Sequence, residues 1–179
     1  MSIFDPTQDF LATAGTFFSP QLDVQEGATL FRLNTGKKQF GASVAEISLT
    51  VNFSNTFNFE VDQPENTESD LFSVLLHEIT HGLGFTSLMG PNGKSSFDDE
   101  ISPSNAFTRV DALLVNGASE DRLLGGDPPV LQTPLSTLTD GNVEFDGTEA
   151  TERYGQGERP PVFAPPVLRT GSSLAHWDR

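Results

Sequence analysis

The stretch Leu75-Leu76-His77-Glu78-Ile79-Thr80-His81-Gly82-Leu83-Gly84-Phe85 carries the pattern His-Glu-x-x-His. On a helix, residues i and i+4 lie on one face, one above the other. His77 and His81 then offer two imidazole nitrogens to a single metal ion. Glu78 sits about 100° further round the helix, so it does not compete as a ligand. It is placed to reach a water on that metal and act as general base.

The flanking residues predict the helix. Thr67 and Asp70 stand at capping-box spacing before an apolar run, and Glu68 and Asp70 put negative charge at the helix's positive end. Leu71, Phe72, Val74, Leu75, Leu76, Ile79 and Leu83 follow at helical spacing. Together they cover roughly 200° of a helical wheel, which predicts a helix buried on most sides. Glu78 falls inside that apolar arc, where an unpartnered carboxylate is costly; a water on a metal explains its presence. Gly82 and Gly84 end the helix, since either adopts a left-handed backbone closed to most residues. The competing reading, two satisfied core histidines on a buried helix, leaves the agreement of motif, helix and glycines unexplained.

The chain has 179 residues, enough for one domain with a proper core. Its formal net charge of −15 argues against nucleic acid and against anionic membrane surfaces. No apolar run approaches the roughly 20 residues needed to cross a bilayer. The absence of cysteine excludes disulfides and thiolate metal sites, so a metal must use His, Asp or Glu. His77, His81 and His176 are the only histidines, which makes His176 the first candidate for a third ligand. The start, Met1-Ser2-Ile3-Phe4-Asp5, is not a signal peptide. Either the protein stays inside the cell or this chain is part of a longer secreted precursor.

Along the chain, Asp5 or Thr7 caps an expected short helix through Phe10, Leu11, Ala14 and Phe17-Phe18, ended by Pro20. Thr29 to Leu33 reads as a weak strand, and Asn34-Thr35-Gly36-Lys37 as a turn. Ser43 to Phe53 is the clearest strand, with Ile47, Leu49, Val51 and Phe53 on one face. It is either an ordinary half-buried strand or an edge that pairs with an extended peptide. Asp98-Asp99-Glu100 reads as a solvated charge cluster; no regular calcium-loop spacing supports Ca2+ there. Ala106 to Val115 fits helix and strand equally well. Asn116 to Gly157 reads as short strands and loops, and the prolines make Val162 to Leu168 extended. Gly171-Ser172-Ser173 forms a turn that delivers His176 and Trp177.

A catalytic zinc takes three protein ligands and keeps a fourth position open. A compact extension of the motif would put a histidine three residues after Gly84, but Ser87 stands there. Two candidates remain. Glu100 lies near the spacing at which thermolysin-like enzymes place a glutamate, though its surroundings do not look helical. His176 is the alternative.

The residues His77-Glu78-x-x-His81-x-x-Gly84-Phe85, followed much later by Gly171-Ser172-Ser173-Leu174-Ala175-His176-Trp177, resemble the leishmanolysin-like metzincin metallopeptidases. The likeness is greatest to their bacterial secreted, cysteine-free relatives. In that family a long insertion separates the glycine from the third zinc histidine. The resemblance covers roughly residues 43 to 179, with its specific residues confined to the two motifs. It implies zinc ligands at His77, His81 and His176, a base at Glu78, a turn at Gly84 and a secreted location. The chain departs from the family where a methionine turn should follow the third histidine: it holds only Met1 and Met89 and ends shortly after His176.

The expectation is therefore a single α+β domain of zincin type over residues 1–179, a fragment cut before the methionine turn. A twisted mixed sheet packs on the buried metal helix, and a long irregular insertion returns His176. The expected activity is a zinc-dependent endopeptidase acting on protein or peptide, with a zinc-held water activated by Glu78. The alternatives are a non-catalytic secreted or adhesive module that keeps the metal-binding fold, and a hydrolase of non-peptide substrates. A structural metal site needs no base, so Glu78 counts against the first.

Overall fold

The computed structural model describes residues 10–18, 24–60, 67–98, 105–155, 157–168 and 173–177. In chain order these form β1 (Ala12–Thr16), β2 (Val24–Gln25), α1 (Ala28–Thr35), β3 (Ile47–Val51), β4 (Phe57–Asn58), β5 (Ser69–Asp70) and α2 (Leu71–Gly82). There follow β6 (Phe107–Thr108), α3 (Arg109–Ala112), β7 (Leu114–Asn116), β8 (Leu124–Gly125), β9 (Val130–Leu131), a 3-10 turn (Leu135–Thr139), β10 (Val143–Phe145) and α4 (Thr148–Tyr154). The protein is mixed α/β with small sheets. Its described strands pair two by two rather than forming the one sheet expected. The chain divides into two compact units, one of residues 1–17 and 27–84, the other of 18–26 and 85–179.

In the first unit β1 runs antiparallel to β3, from Ala12 opposite Val51 to Thr16 opposite Ile47. The expected N-terminal helix is thus corrected to a strand over Ala12–Thr16; its cap candidates Asp5 and Thr7, and Pro20, lie outside the described residues. Pairing with β3 satisfies the backbone, and Thr16 Oγ1 adds a bond by donating to the Glu46 carbonyl at 3.1 Å. The strand expected at Thr29–Leu33 is instead inside α1. Gly36, at φ 70°, closes that helix by donating its N–H to the Arg32 carbonyl, the left-handed stop that glycine permits. The turn expected at Asn34–Lys37 is met by this stop.

β3 is shorter than the expected Ser43–Phe53 strand. Ile47 and Val51 are half-buried, but Leu49 and Phe53 are exposed, so the wholly buried face is not realised. The same holds for α2. Only Glu78, His81 and Gly82 are buried on it, while Phe72 is 74%, Leu76 57% and Ile79 42% exposed. The helix expected to be buried on most sides is therefore covered on one flank. The reason is width. α2 packs on β1 and β3, and two strands about 4.8 Å apart shield only one side of a helix about 10 Å across.

The second unit has its own core, built around Leu114, Leu123, Leu138, Val143, Val162 and Leu174. β7 and β10 pair antiparallel across it. Ala106 to Val115, equally consistent with helix and strand, contains both: β6, then α3, then the start of β7. The expected loops and short strands of Asn116–Gly157 are present, with α4 and the 3-10 turn in addition. Among the described residues, no helix is long and apolar enough to cross a membrane.

Candidate metal centre

The metal motif sits on α2, and its start is set by Asp70. That carboxylate accepts the Phe72 N–H at 3.2 Å and the Ser73 N–H at 3.0 Å, as well as the Ser73 hydroxyl. The Ser73 hydroxyl bond is the chief cause of an Asp70 carboxyl held below its ordinary range. Thr67 plays no capping part, which corrects the expected pairing: Asp70 is itself the cap. At the other end the Gly84 N–H donates to the His81 carbonyl at 2.9 Å, and Gly84 adopts φ 105°. The expected role of Gly84 as the exit from the helix is met there. Gly82 has a packing role instead. A β-carbon on it would stand 2.7 Å from Ile47 Cγ2, so the helix lies against β3 at that point.

One turn of α2 places the Nε2 atoms of His77 and His81 3.1 Å apart, with the rings at 85° to each other. Two nitrogens each about 2.0–2.1 Å from a tetrahedral zinc stand roughly 3.3 Å apart. The separation is itself that of a hydrogen bond from one ring to the other, and it is also close to the spacing at which the pair would share one such ion. His81 is buried and His77 exposed. Between them in sequence, Glu78 is 8% exposed and makes no hydrogen bond or ion pair with any described residue. Solvent still reaches its oxygens, and a cation with its water beside the two imidazoles would give the carboxylate a partner. The donor set of this helix therefore fits a divalent ion of the zinc class.

His176 belongs to the second unit, on a segment held by Val162 and Phe163. The Phe163 N–H donates to the His176 carbonyl at 2.8 Å, the Leu174 N–H donates to the Phe163 carbonyl at 2.9 Å, and Trp177 bridges Val162. Leu174 has φ 62° although it is not glycine. That conformation costs about 1–2 kcal/mol, and full burial of the leucine side chain offsets it. The result is a sharp turn anchored by its own apolar residue, with a half-buried His176 two positions on. Gly171 and Ser172 of the expected turn lie outside the described residues, as does Glu100.

Ser87, at the position of a compact third ligand, is committed elsewhere. Its hydroxyl donates to Asp111 Oδ1 at 2.5 Å. Asp111 is fully buried and also accepts the Leu88 N–H at 2.9 Å, the Thr108 N–H at 2.9 Å and the Thr108 hydroxyl at 3.0 Å. Burial pushes the Asp111 carboxyl up against the opposing pull of these bonds. Asp111 was not singled out in the sequence. Its signal was Thr108-x-x-Asp111, a capping box at the start of α3. Asp98 forms an ion pair with Lys94 at 2.9 Å, while Asp99 and Glu100 lie outside the described residues. No protein-family model, curated protein or solved structure matches this chain, so the likeness to the leishmanolysin-like metzincins rests on the residues quoted for it.

Proposed function

We propose that this chain is a zinc-dependent endopeptidase of zincin type, with His77, His81 and His176 as zinc ligands and Glu78 as general base. The observation that carries the reading is Glu78: a largely covered residue whose carboxylate has no hydrogen-bond or ion-pair partner among the described residues, next in sequence to one of two imidazoles 3.1 Å apart. His176 completes the set by chemistry, as the one other histidine of a cysteine-free chain.

When bound, zinc polarises the scissile carbonyl and lowers the pKa of its water towards neutrality. Glu78 takes the proton of the attacking water and delivers it to the departing amine. Among the described residues β3 pairs only with β1, and its open edge is available to align an extended substrate. The substrate is protein or peptide, and nucleic acid is disfavoured by the charge of −15.

The test measures zinc stoichiometry and casein hydrolysis for the wild type, Glu78→Ala and His176→Ala. Glu78→Ala is expected to keep zinc and lose cleavage by a factor of about 10²–10⁴. His176→Ala is expected to lose zinc affinity. Normal zinc retention in His176→Ala would remove the third ligand from the scheme, and cleavage by Glu78→Ala would remove the mechanism. A non-catalytic module would bind zinc in the wild type without cleaving.

A further inference from the structure

The chain has one tryptophan and one tyrosine. Both line the same notch in the second unit, a cavity of about 320 Å³ completed by Ala150, Arg153 and Pro160. Trp177 is held from behind by aromatic rings. Its indole centroid lies 4.8 Å from Phe85 and 5.6 Å from Phe145, yet 46% of the residue is exposed. Tyr154, the last residue of α4, is 55% exposed. A fixed indole and an exposed phenol offer broad contact area at small entropic cost, which is why these residues are enriched in binding surfaces.

Among the described residues, Arg153 is the one charged residue lining the notch. It makes no ion pair with any described residue, which leaves its guanidinium available to a carboxylate. In a chain of net charge −15, an uncommitted cation beside an aromatic wall selects its occupant.

We propose that this notch binds a peptide through a bulky aromatic side chain followed by an acidic residue, the ring lying against Trp177 and Tyr154 and the carboxylate pairing with Arg153. That the peptide is a substrate rests on the endopeptidase reading, since Trp177 directly follows His176; the binding itself does not. The notch then sets a sequence preference of the enzyme, with aromatic–acidic pairs favoured.

Because Trp177 is the sole indole, its fluorescence reports this notch alone. The wild-type chain is titrated with acetyl-Phe-Glu-amide, acetyl-Phe-Lys-amide and acetyl-Ala-Glu-amide. Saturable change is expected with Phe-Glu, about three- to fivefold tighter than with Phe-Lys, and weakest with Ala-Glu. Arg153→Glu is expected to reverse the Glu/Lys order. Tyr154→Ala, which keeps the reporter, is expected to weaken Phe-Glu binding. Equal responses to all three peptides, no saturable response, or an unchanged order in Arg153→Glu would overturn the proposal. Saturable binding without any peptide cleavage would retire the peptidase and leave the notch. Cleavage with no Phe-Glu preference and no response to Arg153→Glu would retire the notch and leave the peptidase.

Discussion

The Nε2 atoms of His77 and His81 lie 3.1 Å apart on one face of α2. Neither ring would have to move far to accept a common ion, so under the zinc proposal the helix acts as a bidentate chelate. Replacing either histidine removes half of it. His77→Ala and His81→Ala are each expected to weaken zinc binding by more than the roughly 10–100-fold that outer-shell changes cost. Competition against a fluorescent zinc chelator checks this. His77 is exposed and His81 buried, so only His81→Ala is also expected to lower the urea midpoint.

Gly82 supplies the close approach of α2 to β3. Alanine favours a helix over glycine by about 1 kcal/mol, yet here its β-carbon would meet Ile47 Cγ2 at 2.7 Å. That atom belongs to a stiff β-branched side chain, so the strand or helix must shift. Gly82→Ala is expected to destabilise by about 1–3 kcal/mol. In the Ile47→Ala background the same substitution is expected to be neutral or stabilising. A urea double-mutant cycle measures the difference; additivity of the two changes would refute the contact.

Asp146 binds Arg159 Nε at 2.9 Å and Arg122 Nη2 at 2.7 Å. The Arg159 bond is the main cause of a carboxyl held below its ordinary value of 3.8. A lowered folded-state value means that the pair adds stability above pH 3.8 and loses it as pH falls from there through the folded value. Arg159→Met is therefore expected to lower the urea midpoint at pH 6 and to change it less at pH 3. An equal loss at both pH values would show that Arg159 acts through packing of its stem instead.

The legibility of this chain follows the range of the forces involved. The helix Leu71–Gly82 and the exit at Gly84 were readable because they depend on residues within a turn or two of one another. The strand Ala12–Thr16 was misread as helix because its partner, Ile47–Val51, lies far along the chain and the pairing overrides local pattern. Exposure of Phe72 and Leu76 was unreadable for the same reason: the wheel shows which residues are apolar, not how wide a sheet will cover them. Asp111 carries a local signal in the Thr108-x-x-Asp111 capping box, but its bonds to Ser87 and Leu88, more than twenty residues away, are visible only in the fold.

Phe72, Leu76 and Ile79 recur down one line of α2 and Leu83 follows at its C-cap, all exposed. At neutral pH the molecule carries a formal charge of −15, which disfavours contact between copies of this ridge. Near the sequence pI of about 4.3 the net charge is small, and repulsion then opposes contact between exposed apolar surfaces far less. Solutions should stay clear at pH 7 and turn cloudy near 4.3, with Leu76→Glu delaying the onset of light scattering. Colloidal behaviour, rather than unfolding, would then set the acid limit of its working range.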